Sequence, residues 1–196
     1  MKRITSRSRI VAECVQTAFA RPKILVFVNC VLFCSILLGT LFTLFTKVRT
    51  LYLPHFQSSS IIESNTWALA FEIFTANLIF SAFVFVTLPG FVLFPAPMVL
   101  IVYRGLTWGS YLYYISPVTF FASLPTIILE GEAYVFACVA GMIVGVSWVK
   151  PSLLYEDLNR RESLRLSTKE CLKLYAVVTV LLAFGALVES VTISLL

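Results

Sequence analysis

The sequence has few charges and fewer still of the side chains on which most enzyme chemistry depends. Only 13% of its 196 residues are charged, and it has one histidine, His55, and one aspartate, Asp157. A lone histidine excludes a His-x-x-x-His metal site and a His-Glu-x-x-His zinc helix. A lone aspartate excludes an intramembrane aspartyl pair. A serine–histidine dyad would need His55, in a polar loop beside Pro54, to meet a serine from elsewhere. The five cysteines (Cys14, Cys30, Cys34, Cys138 and Cys171) fall mostly within apolar stretches, without the paired spacing of a disulfide framework or a zinc site. No internal repeat recurs at a fixed period, which argues against an inverted-repeat transporter. These absences point to a non-enzymatic protein with no cofactor and no metal centre.

Apolar side chains dominate instead: 59% of the residues are hydrophobic and the mean hydropathy is +0.93. A soluble fold would have nowhere to bury that surface. Because about 20 apolar residues cross the ~30 Å hydrocarbon core, the chain has room for four to six spans and no separate soluble domain. The expected fold is an all-α, polytopic membrane helix bundle of about five transmembrane helices plus a short N-terminal interfacial helix. The spans read as 24–46, 67–91, 98–115, 125–149 and 172–196, with 1–23 as an interfacial segment and 150–171 as an amphipathic connection. The first run is longer than a signal-peptide core and is expected to stay as an anchor.

Local signals set the boundaries. Ile10, Val11, Cys14, Val15, Ala18 and Phe19 recur at helical spacing, with Arg9, Glu13, Gln16 and Thr17 on the other side, as in a helix lying on a membrane surface. A polar loop follows the first span, from Lys47 to Asn65. Pro125 is expected in the first turn of the fourth span, where its missing N–H costs nothing. Ser167-Thr168-Lys169-Glu170 reads as a capping box that launches the last span.

The net charge of +5 is concentrated beside the apolar runs rather than along one polar face, which marks topology and not nucleic-acid binding. Lys2, Arg3, Arg7, Arg9, Arg21 and Lys23 precede the first span. Lys150, Arg160, Arg161, Arg165, Lys169 and Lys173 lie between the fourth and fifth, while only Lys47 and Arg49 fall on the opposite side. Retention of Lys and Arg on the cytoplasmic face then places the N-terminus in the cytoplasm and the C-terminus outside a cell membrane.

A charge at the centre of a span costs at least about 2.5–3.5 kcal/mol, so Arg104, Glu130, Glu132 and Glu189 need partners, water or a purpose. With Asn77 they form a candidate intramembrane polar cluster. Glu130 and Glu132 are separated by about 200° around a helix axis and cannot both face one partner. Two readings stand: an ion pair with Arg104 that fixes packing, or a carboxylate that binds a cation, relays a proton or contacts a polar substrate. Gly105 and Gly109, and Ala137, Gly141 and Gly145, are small-residue steps that let helices approach closely, within the chain or between two copies in a homodimer.

The stretch Ser123-Leu124-Pro125-Thr126-Ile127-Ile128-Leu129-Glu130-Gly131-Glu132-Ala133-Tyr134, continuing through Ala140-Gly141 to Gly145, resembles a helix of the stage II sporulation protein M family. Ala76-Asn77-Leu78, Arg104-Gly105 with Gly109, and the closing Ala186 to Thr192 are similar to that family's other signatures. Thr126-Ile127 stands where the family often has His-Gly, and Arg104 where an Asn is commoner. The resemblance implies a multi-span membrane protein whose sporulation members act as a scaffold beside peptidoglycan hydrolases. The leading expectation is therefore a scaffold or anchor for other membrane proteins in the lipid bilayer. A permease-like subunit moving a small solute or lipid, or an accessory subunit of a larger complex, are the alternatives.

Overall fold

A computed structural model describes residues 11–47, 65–155 and 158–195. Ile10 and Arg9 of the interfacial helix, the basic residues Lys2, Arg3, Arg7 and Arg49, His55 in its loop, Asp157 and Leu196 lie outside the described residues. Among the described residues every regular element is helical. A short helix, α1, covers residues 11–18, and five long ones follow: α2 (Pro22–Thr46), α3 (Thr66–Val92), α4 (Ala96–Tyr114), α5 (Pro117–Val149) and α6 (Arg160–Leu195).

Local chemistry explains the ends. Pro22 and Pro117 sit in first turns, where no N–H is needed. Asn65 caps α3 by accepting from the Trp67 N–H at 3.2 Å, and Ser116 caps α5 by accepting from the Thr119 N–H at 3.1 Å. Lys47 closes α2 in the left-handed region, φ 53°, donating its N–H to the Thr43 carbonyl.

Two sequence-based boundaries are corrected. α5 begins at Pro117, so Pro125 lies inside the helix and Glu130 stands thirteen residues, about 20 Å, from its start. The Ser116 cap and Pro117 outcompete Pro125 as a start signal, and Glu130 gains nothing from the helix N-terminus. The capping box does not form either, because α6 already begins at Arg160, where Asn159 accepts from the Glu162 N–H at 3.0 Å. Ser167 is buried in the helix and meets the Ser147 hydroxyl at 2.7 Å, while Glu170 is engaged elsewhere.

The helices alternate in direction. Asn77 meets Glu130, Thr87 meets Ala137, and Gly90 approaches Gly145, so α3 runs parallel to α5. Ser167 against Ser147 and Gly185 against Glu130 make α6 antiparallel to both. α2 and α4 run side by side in one direction, from Leu32 beside Gly105 to Thr43 beside Ser110. The middle of α3, Ala76–Thr87, is wound as a π-helix, with Leu88 donating to the Phe83 carbonyl five residues back. That wider winding is rare and tends to mark functional positions.

α5 is the axis of the bundle: no residue from Ala133 to Ala140 is more than 7% exposed. A helix buried all round needs other helices on every side. The outer surfaces reverse the soluble pattern, with Phe27, Leu37, Phe45, Phe71, Phe80 and Phe184 outside and Ser35, Thr43, Thr87, Ser147 and Ser190 inside. Four helices, α2, α3, α5 and α6, are long and apolar enough to cross a membrane. With 19 residues, about 28 Å, α4 has the length as well, but Arg104, Thr107, Ser110 and its tyrosines dilute its hydropathy. This is an all-α, polytopic membrane bundle.

Close approach depends on missing Cβ atoms. A Cβ on Gly109 would overlap the Ile36 carbonyl, and one on Gly39 the Leu106 carbonyl, both rigid backbone. At Gly131 the nearest atoms are side-chain carbons at 3.5 and 3.7 Å, an ordinary contact. Gly109→Ala is expected to push α4 from α2 and cost about 1–3 kcal/mol, whereas Gly131→Ala is expected to be near neutral. Thermal melts of both variants in detergent check the contrast, and equal melting temperatures would count against this packing.

Candidate functional site

Four helices contribute to one polar cluster about halfway along α5. Its hub is Tyr134, fully buried and one turn beyond Glu130 on the same face. The Arg104 guanidinium donates to the Tyr134 hydroxyl at 3.2 Å, and that hydroxyl donates to the Asn77 Oδ1 at 3.0 Å. The Asn77 amide then donates to the Glu130 carboxylate at 2.5 Å. The chain joins α4, α5 and α3 and leads from the cation to the carboxylate without direct contact between them. Arg104 also lies over the rings of Trp108, at 5.3 Å, and Tyr134, at 5.0 Å, which lets aromatic faces share in stabilising its charge.

Glu189 supplies the fourth helix. Gly185, one turn before it on α6, lies against the Glu130 side chain, where a Cβ would come within 3.3 Å of Cγ, and the Glu130 and Glu189 carboxyl groups meet. Among the described residues, Arg104 forms no ion pair with either glutamate; the ion pairs there are Arg21 with Glu170 and Lys173 with Glu13. The expected Arg104–glutamate pair is thus replaced by a relay through Tyr134 and Asn77. The reason is geometric: two aromatic faces hold the guanidinium on the α4 side of the hub.

Glu132 does not join the cluster. It turns the other way around α5 and accepts from the Asn29 amide of α2 at 3.4 Å, as its angular offset from Glu130 requires. The small-residue steps serve packing within the chain. Gly105 fits against Leu32 and Ser35, Gly109 accepts from the Thr40 hydroxyl, and Gly141 and Gly145 face Thr87, Gly90 and Phe94. The Ala137 carbonyl accepts from Thr87, whose hydroxyl also meets that of Tyr175 at 2.6 Å.

A second polar group lies at the end of the bundle where α2 begins. Arg21 pairs with Glu170 at 2.6 Å, Lys173 with Glu13 at 3.2 Å, and the Arg21 guanidinium rests over the Tyr155 ring at 5.9 Å. Burial opposes the Arg21 charge, but the Glu170 carboxylate more than offsets it and holds the guanidinium above its ordinary range. Burial and the same carboxylate push the Tyr155 phenol up to about 12. These contacts tie α1 and the start of α2 to α6, leaving Val11 and Val15 of α1 and Phe19 just after it facing outward, as a membrane-surface helix needs.

Sequence reading missed Tyr134, Asn29 and Trp108. Tyr134 could have been found from its four-residue spacing to Glu130, and Asn29 as the lone amide in an apolar run. Tyr134→Phe removes only the hydroxyl, leaving Asn77 Oδ1 and Arg104 without their shared partner. It is expected to lower stability by about 1–3 kcal/mol. Asn29→Leu, at a longer bond on a half-buried pair, is expected to cost less. Denaturation of both variants in mixed micelles tests the ranking, and a Tyr134→Phe protein as stable as wild type would remove the hub from the account.

No curated protein and no solved structure matches the chain. The family model described as stage II sporulation protein M matches residues 24–192. Its match takes in all five long helices nearly end to end, including every member of the polar cluster. The chain, a multi-pass membrane protein, belongs to the stage II sporulation protein M family.

Proposed function

We propose that the chain is a non-enzymatic membrane scaffold that anchors partner proteins, crossing a cell membrane five times with its N-terminus in the cytoplasm and its C-terminus outside. One observation carries this reading: Arg104, Tyr134, Asn77 and Glu130 are turned toward one another and bind helix to helix. Polar groups used in this way hold a bundle together. A solute path would need them facing an open channel, and the fully buried Tyr134 ring occupies the space between them.

Docking capacity lies at the basic end. Arg161, Arg165 and Lys169 are exposed and recur every four residues along α6, so they form one stripe. Leu172, 67% exposed, continues it with an apolar step. Lys23 and Lys150 are exposed too, so the stripe suits a partner with an acidic segment. The alternating helix directions and the excess of Lys and Arg at this end support the orientation.

Orientation is tested with single cysteines in a background whose native cysteines are replaced. A membrane-impermeant maleimide applied to intact cells is expected to label Ser194→Cys and spare Ala20→Cys. Labelling of both from outside would refute the topology. Function is tested by quantitative mass spectrometry of proteins retained in mild detergent. Arg161→Glu/Arg165→Glu/Lys169→Glu is expected to lose its partners by about tenfold, and folded Glu130→Gln to keep them. The opposite pattern, partners kept by the stripe variant and function lost in folded Glu130→Gln, would favour a permease-like subunit.

A further inference from the structure

The polar cluster does not balance its charge. Glu130 on α5 and Glu189 on α6 bring two carboxyl groups together, and the groups facing them from the other packed helices supply one positive charge. α4 presents Arg104, α3 presents the uncharged Asn77, and α5 adds the Tyr134 phenol. Glu132 is turned to Asn29 and takes no part. With both carboxyls ionised, a surplus negative charge would stand midway along the bundle, where lipid offers no water to screen it.

A second observation points to what fills the deficit. Thr126 is 6% exposed and its hydroxyl oxygen has no hydrogen-bond partner. Other helical threonines here, such as Thr40, Thr75, Thr179 and Thr192, donate to the carbonyl four residues back. Thr126 does not, so both its donor and its lone pairs remain free. It precedes Glu130 by four residues, and Glu130 precedes Tyr134 by four, so the three share one face of α5. Because α6 is antiparallel and Gly185 abuts Glu130, Glu189, one turn further, reaches the level of Thr126. Two carboxyls and a free hydroxyl then lie within about one helical turn of one another on the α5 face that Gly185 abuts, a set of oxygen donors suited to a hard cation rather than to zinc.

We propose that Glu130, Glu189 and Thr126 form a binding site for one monovalent cation, held either as a proton shared between the two carboxyls or as a sodium ion in its place. The bound charge completes the neutral cluster and fastens α6 to α5. This goes beyond a scaffolding role, because it makes the stability of the bundle depend on ion occupancy.

The full chain in lipid nanodiscs tests it by thermal melting. In one arm pH is raised from about 6 to about 9 in sodium-free buffer with choline as the counter-cation. In the other, sodium replaces choline near pH 9 at constant ionic strength. A proton site predicts a melting temperature lower by about 5 °C at the alkaline end, since loss of the proton leaves two facing carboxylates. A sodium site predicts recovery of that loss in the second arm. Glu189→Gln, which removes one of the two charges, is expected to abolish both responses. A wild type flat in both arms, or a Glu189→Gln protein with undiminished responses, would overturn the site. Where that variant fails to accumulate, infrared difference spectra of the wild type decide. A protonated-carboxyl band lost at alkaline pH, or a carboxylate band shifted by sodium, supports the site, and the absence of both rejects it.

Discussion

At the middle of a bilayer there is no solvent to satisfy a polar group, so each one on α5 has to be met by another helix. Glu130 and Tyr134 make that demand one turn apart on the same face of the most buried helix. Asn77 must then come from α3, Arg104 from α4 and Glu189 from α6, which fixes the azimuth of three helices around a fourth. Apolar packing alone would fix it poorly, because the lipid tails outside are as apolar as leucine and give helices little reason to leave them. Within this bundle the hydrogen-bond relay therefore does what a hydrophobic core does in water: it selects one arrangement among many of similar packing energy.

Such a relay works only if backbones come close enough for short side chains to meet. Gly39, Gly105 and Gly109 bring α2 and α4 together, and Gly90, Gly141 and Gly145 bring the end of α3 onto α5. Contacts of this kind use the small-residue steps inside one chain, so they no longer argue for a dimer. The π-wound stretch of α3 belongs to the same adjustment. Along it α3 presents Asn77 to Glu130 and, ten residues on, Thr87 to the Ala137 carbonyl, while Phe80 and Val84 remain outside.

Much of this was legible in the sequence, because lipid imposes long apolar runs and makes any charge within them conspicuous. The helical class came from that contrast, and so did the grouping of Asn77, Arg104, Glu130 and Glu189, which the structure brings into one cluster. Failures arose where a local signal competed with a longer-range one. Pro125 carries the mark of a helix start, yet the Ser116 cap nine residues earlier starts α5 and the surrounding helices tolerate the proline inside it. Ser167 and Glu170 have the spacing of a capping box, yet each has a better partner elsewhere, Ser147 on α5 and Arg21 just before α2. Tyr134 was overlooked because its ring reads as apolar, and only the fold shows that its hydroxyl is the joint of the relay.

The two polar layers differ in what they can exchange with their surroundings, and that difference bears on function. The Arg21–Glu170 layer stands at the end of the bundle, next to the exposed stripe of Arg161, Arg165 and Lys169 on a helix whose 36 residues extend about 54 Å, well beyond a ~30 Å hydrocarbon core. The Glu130 layer lies about 22 Å further along α6, near Gly185, and is enclosed by helices. The bundle encloses the inner layer and extends the outer, so the inner layer holds α6 in place while the end of α6 beside the outer layer stays exposed.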